Sequence, residues 1–253
     1  MTTISAISLP VASTVNTASQ GNAPVVAAPS PACSDPLDFA TIDSAEKALA
    51  LPALNSLAFA SFASVITACA MSNCGLHGSL AMAIGQGTQQ MKLDGQYKLS
   101  FGADSSISLG CSGKAGQADF NETWTYGLDE SIKMQGKFGN SEEALVMIPD
   151  NKGSAHLAGH IGSVAIDLTY TEKGYDGTVG GKAVHCTSEM KPVDGALYGV
   201  DASGSLDGGA FNFSGQATRS ADGKGIATSG KGVVGSYQVS LDQTLIPELP
   251  NKF

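Results

Sequence analysis

The chain has 253 residues, 14 of them basic and 23 acidic, for a formal net charge of -9, and it contains 31 glycines but only 6% aromatic side chains. With Arg219 the only arginine and the lysines scattered singly, the charge distribution argues against nucleic acid and anionic membrane surfaces as partners, since both need clustered cations. Cys33, Cys69, Cys74, Cys111 and Cys186 are too few for a disulfide-dense scaffold, lack CxxC spacing, and are odd in number, so at least one thiol is unpaired within the chain.

Residues 1–42 are read as a disordered arm rich in Ser, Thr, Ala and Pro. No side chain from Met1 to Ser34 is charged, and Pro24, Pro29, Pro31 and Pro36 each remove a backbone donor and disfavour helix before them. The segment lacks the basic start and continuous apolar core of a secretory signal peptide. In composition it is similar to the N-terminal export region of type III secreted proteins.

Over residues 43–74 the spacing predicts an amphipathic helix. Asp43 or Ser44 caps it, Glu46 follows close to the third position, and Leu51, Leu54, Leu57, Ala58, Phe62, Val65, Ile66 and Cys69 share one face. Pro52 costs least if the helix proper begins near it, and the helix ends before Gly75. The uncharged run 51–70 is also long enough to be an anchor or signal segment. Its end, Ile66-Thr67-Ala68-Cys69, resembles a bacterial lipoprotein cleavage box, which would imply lipidation at Cys69, although the box lies far deeper in the chain than that family places it. Cys69 and Cys74 are close enough in sequence to bridge instead.

From residue 75 to 253 the chain reads as a Gly-rich antiparallel β domain, with the period changing to two after Gly78. Met91, Leu93, Tyr97, Leu99 and Phe101 alternate with Lys92, Asp94, Gln96, Lys98 and Ser100; Val164, Ile166, Leu168 and Tyr170 alternate with Ala165, Asp167, Thr169 and Thr171. Turn signals fall at 102–104, 149–151, 172–174 and 221–223. Gly95, Gly136, Gly177, Gly181, Gly215 and Gly235 are read as lying inside strands, where glycine marks a bulge, a bend or a close approach, so the sheet should curve strongly. The expected fold is mainly β, a curved antiparallel meander, half-barrel or barrel-like, of about 10 to 13 strands, packed on the one N-terminal amphipathic helix. A membrane-spanning barrel is disfavoured by Pro247 and Pro250 before the C-terminus and by too few aromatics for two girdles.

Chemistry is sparse. His156 and His160 share a strand face but stand about 13 Å apart, too far to share a metal. No nucleophile elbow, phosphate loop or dinucleotide fingerprint is present, so neither a cofactor nor a metal is expected. Asp119, Glu122, Asp129 and Glu130 flank Trp124, the nearest approach to a carbohydrate-hydrolase constellation. The leading expectation is a non-enzymatic, exported or envelope-associated protein that binds an apolar or lipid ligand between sheet and helix. Leu99, Phe101, Trp124, Phe138, Phe211 and Phe213 are its candidate lining. The alternatives are a structural, assembly or surface scaffold that self-associates through sheet edges, and a hydrolase using Asp119 or Glu122.

Overall fold

The computed structural model describes residues 42, 44–49, 69, 74–86, 89–102, 106–150 and 152–248. Apart from residue 42, the expected N-terminal arm lies outside the described residues, and so does most of the expected helix.

The fold is mainly β. Its strands are β1 (Gly75–Gln86), β2 (Gln89–Phe101), β3 (Ile107–Ala115), β4 (Ala118–Tyr126), β5 (Ile132–Phe138), β6 (Ser141–Pro149) and β7 (Ala155–Ile161). They continue with β8 (Val164–Thr171), β9 (Gly174–Val179), β10 (Lys182–Lys191), β11 (Tyr198–Leu206), β12 (Gly209–Arg219), β13 (Ile226–Val234) and β14 (Tyr237–Glu248). Each strand pairs antiparallel with its sequence neighbours, and β1 pairs with β14 from Gly75 opposite Glu248 to Gly85 opposite Gln238. The meander is therefore a closed barrel of 14 strands, more than the expected 10 to 13, and not a half-barrel. Closure gives both outer strands a partner, so self-association by edge pairing would first have to break the β1–β14 ladder.

The alternation seen in the sequence sets the two faces. On β2, Met91, Leu93, Tyr97 and Leu99 are buried inside, whereas Lys92, Asp94, Gln96 and Lys98 point outward. The same phase runs round the wall: Ile166 and Leu168 on β8, Phe211 and Phe213 on β12, and Val239, Leu241 and Leu245 on β14 all join one buried apolar cluster. This is the inverse of a membrane-spanning barrel, whose apolar band faces out. Following the paired residues once around advances the register by 14 residues, equal to the strand number. For a circular section this corresponds to a strand tilt of about 35° and a backbone diameter of about 26 Å. Eight strands make a barrel that wall side chains can fill, and 14 enclose a wider section.

The two ends differ. At one, β5–β6, β7–β8, β9–β10 and β13–β14 are joined by two-residue hairpin turns, and Gly181 (φ 74°) and Gly235 (φ 56°) sit in such turns, not inside strands as expected. At the other, the connections 102–106, 127–131, 150–154, 192–197 and 220–225 are longer. The tight-turn end is occupied by the chain segment 42–49, which is helical over 45–49. Ser44 caps that turn: its hydroxyl accepts the Lys47 N–H at 3.3 Å and its carbonyl the Ala48 N–H at 2.9 Å. Ile42 is tied to two hairpins, donating its N–H to Ser141 Oγ at 2.6 Å and accepting the Ser163 N–H at 3.4 Å. Ile42, Ala45, Ala48 and Leu49 are buried in the barrel's own apolar cluster. Of the helix expected over 43–74, the described residues include this short stretch, the isolated residue Cys69, and Cys74, which is not helical. Cys69 lies by the opposite end, where its carbonyl accepts the Cys74 N–H at 3.0 Å and its thiol lies 3.6 Å from the Gly75 carbonyl. Both cysteines are buried free thiols.

Candidate functional site

Five of the six aromatic or aliphatic residues singled out from the sequence, Leu99, Trp124, Phe138, Phe211 and Phe213, face the interior and are buried. Phe101, at the last position of β2, sits at the loop end and is 42% exposed. They do not form one patch. Leu99 and Trp124 share a row through Leu109, Phe138 stacks on Phe120 nearer the tight-turn end, and the Phe211–Phe213 pair lies on β12, with three strands between it and β2.

The acidic constellation around Trp124 is dispersed by the same alternation. Asp119 points outward, where it pairs with Lys114 at 2.6 Å; Asp129 and Glu130 belong to the β4–β5 turn; Glu122 alone turns inward. Its companion is a residue that sequence reasoning did not select. Paired positions carry one inward row from Tyr97 on β2 through Cys111 on β3, Glu122 on β4 and Gly136 on β5 to Glu143 on β6. Gly136 makes the juxtaposition: a Cβ there would stand 2.9 Å from the Glu122 Cα and 3.1 Å from the Glu143 Oε2, so the Glu143 carboxyl occupies the space a side chain would fill.

This wall carries a polar stripe in an apolar interior. The Trp124 indole N–H donates to Glu122, which favours the ionised carboxylate, yet burial outweighs it and the Glu122 pKa is pushed up to about 7. Glu143 is held well above the usual carboxylate range, first by burial and then by the charge of Glu122. Burial also raises the Tyr97 hydroxyl and the Cys111 thiol. Gln243 on β14 lies near enough to Tyr97 to oppose that rise, but in a geometry that satisfies neither atom of its own amide. Oε2 of Glu143 is buried without a hydrogen-bond partner as well. A signal for these residues existed in the sequence: Glu122 stands between Phe120 and Trp124, and Gln243 between Leu241 and Leu245, each a polar residue in the apolar phase of its strand.

The histidines remain outside. His156 and His160 both point outward from β7, and His77, His156 and His185 make cross-strand contacts with Glu248 (3.0 Å), Asp167 (2.9 Å) and Asp176 (2.5 Å). Among the described residues no group of three or more His, Cys, Asp or Glu is placed to hold a metal ion, and no helix is long and apolar enough to cross a membrane.

At the loop end the described residues gather their exposed large hydrophobics. Phe101, Leu128, Ile148, Met190 and Leu197 all lie at strand ends or connections of that mouth, from β2 round to β11. Among the described charged side chains in its connections, Asp129, Glu130, Asp150, Glu172, Asp194 and Asp222 outnumber Lys152, Lys173 and Lys224.

No family model matches the chain, and no curated protein matches it. Among solved structures, the ywiB protein from Bacillus subtilis is similar at 8% identity, over 68% of this chain and 91% of its own, with a TM-score of 0.21. MucB, solved in complex with MucA(peri), is similar at 9% identity, over 73% of this chain and 91% of its own, with a TM-score of 0.17. Likenesses of this size assign neither fold nor function.

Proposed function

We propose that the protein is a non-enzymatic binding protein that holds an apolar or lipid-like molecule in its barrel, between the wall and the N-terminal segment. The observation that carries this reading is the wide barrel with its apolar face turned inward, which calls for something other than its own wall side chains along the axis. Residues 42–49 occupy the tight-turn end, so a ligand would enter by the loop-end mouth, where exposed apolar side chains offer it a first contact. Buried and mostly apolar, the interior suits long hydrocarbon better than sugar, which is why a carbohydrate hydrolase is the weaker reading.

The N-terminal segment is the natural competitor for the same space. If it alone fills the barrel, the protein is a scaffold.

Native mass spectrometry of the full chain from its own source, followed by denaturation of the same sample, decides between the two. Extra mass of one small molecule per chain, lost on denaturation, is the expected result. A bare chain at full occupancy would overturn the carrier reading and leave the scaffold.

A further inference from the structure

We propose that the Glu122–Glu143 pair is the polar end of the binding site and selects an apolar molecule that carries a primary amine. The inference rests on the carrier reading above and deepens it. Its first support is placement: two inward glutamates from β4 and β6 flank Gly136 in one paired row inside the barrel, with the Glu143 Oε2 3.1 Å from where a Gly136 Cβ would stand.

The second support is what the groups lack. Glu143 is 5% exposed and its Oε2 has no hydrogen-bond partner. Buried polar groups are paired in the great majority of cases, so an orphan of this kind beside a second carboxyl asks for a missing donor. No cation acts on either carboxyl: the influences on both reduce to burial, the Trp124 indole and the two acids themselves. On the described strands every Lys, Arg and His points outward, and outside the described residues Lys252 is the sole basic side chain of the sequence.

These features sort the ligand classes. A third carboxylate would add like charge to a site that already disfavours two. An alcohol can donate one hydrogen bond but brings no countercharge. A primary ammonium supplies three donors and the missing charge, meeting Glu122 and Glu143 with the acceptors they have to spare. The mouth agrees with that choice. Its acidic excess attracts a cation, and Phe101, Leu128 and Leu197 meet the tail.

The test is calorimetric titration of the full-length protein with dodecylamine, dodecanol and dodecanoate below their micelle concentrations. One dodecylamine per chain, bound at least tenfold tighter than dodecanol, with dodecanoate weakest, is expected. Glu143→Gln should abolish the preference, lowering dodecylamine affinity at least tenfold more than dodecanol affinity. Equal binding of amine and alcohol, or a preference that survives in both Glu143→Gln and Glu122→Gln, overturns the proposal and assigns the amine to general attraction by an acidic surface. If none of the three binds, the carrier reading fails with it. Should the variants not fold, the unaltered protein still decides: dodecyltrimethylammonium, cationic but without N–H donors, should bind at least tenfold more weakly than dodecylamine, and equal binding overturns the proposal.

Discussion

Glu122 sits where three influences meet: burial, an indole donor and a second carboxyl across Gly136. Because burial raises its folded-state pKa from 4.5 to about 7, the native protein holds a proton that the unfolded chain releases across that range. Stability contributed by this group is therefore fully present below about pH 4.5 and falls as pH rises to about 7, by on the order of 3 kcal/mol, with Glu143 acting in the same direction. Asp129, Asp150 and Asp222, whose pKa values are lowered by serine hydroxyl and backbone donors, work in the opposite sense but only below about pH 4. Glu122→Gln keeps an acceptor for the Trp124 indole and removes the titration. Urea unfolding at pH 5 and pH 8 should show the unaltered protein losing stability between the two and the variant losing much less. A variant with the same slope would mean that burial of Glu122 does not govern it. At this scale the sequence was partly legible. Trp124 and Glu122 drew attention, but the pairing with Glu143 needs the register of β4, β5 and β6, which no local pattern encodes.

The segment 42–49 is the element whose placement was least expected and whose local form was most readable. Ser44 caps the turn as its residue type indicates, satisfying the Lys47 N–H that a helix start leaves orphaned. What the sequence did not give is its address at the tight-turn end, fixed by Ser141 and Ser163 from two different hairpins. Ser141 is itself buried, and its hydroxyl is the acceptor for the buried N–H of Ile42. Ser141→Ala leaves that N–H without this partner and should cost about 1–3 kcal/mol. Thermal unfolding reads the loss, and hydrogen exchange should accelerate at residues 42–49 while the inner strands keep their protection. Unchanged exchange there would show that apolar contacts alone hold the segment. Glycine shows a similar division at this scale. Gly136 and Gly177 lie within strands as their surroundings implied, whereas Gly181 and Gly235 belong to turns, because the alternation alone does not mark where one strand stops and its hairpin partner starts.

At the scale of the whole molecule the decisive feature is the β1–β14 ladder, which turns a curved sheet into a barrel. Ser79 and Thr244 stand opposite one another across it, both on the outer face. Ser79→Cys with Thr244→Cys should form a disulfide under mild oxidation, read as a two-hydrogen mass loss with no change in oligomeric state, since directly opposed strand residues fall within the Cα separation a disulfide spans. Two thiols that stay reduced would indicate an open sheet. Closure also defines the inside and the mouths, and with them the separation between the plugged end and the apolar, acid-rimmed end.

Composition and alternation by themselves determined the β class, the antiparallel meander, the approximate strand positions and the helix cap, because each depends on residues within a few positions of one another. Strand count, closure and the identity of the inner face were decided only by tertiary structure. A period of two says that a strand has two unlike faces, but it assigns the apolar one to a core, a ligand or a membrane with equal ease. The polar stripe from Tyr97 to Glu143 belongs to the same class of fact. It joins residues from strands distributed over nearly 50 positions of sequence, and only the antiparallel register, which advances with every hairpin, lays them in one row.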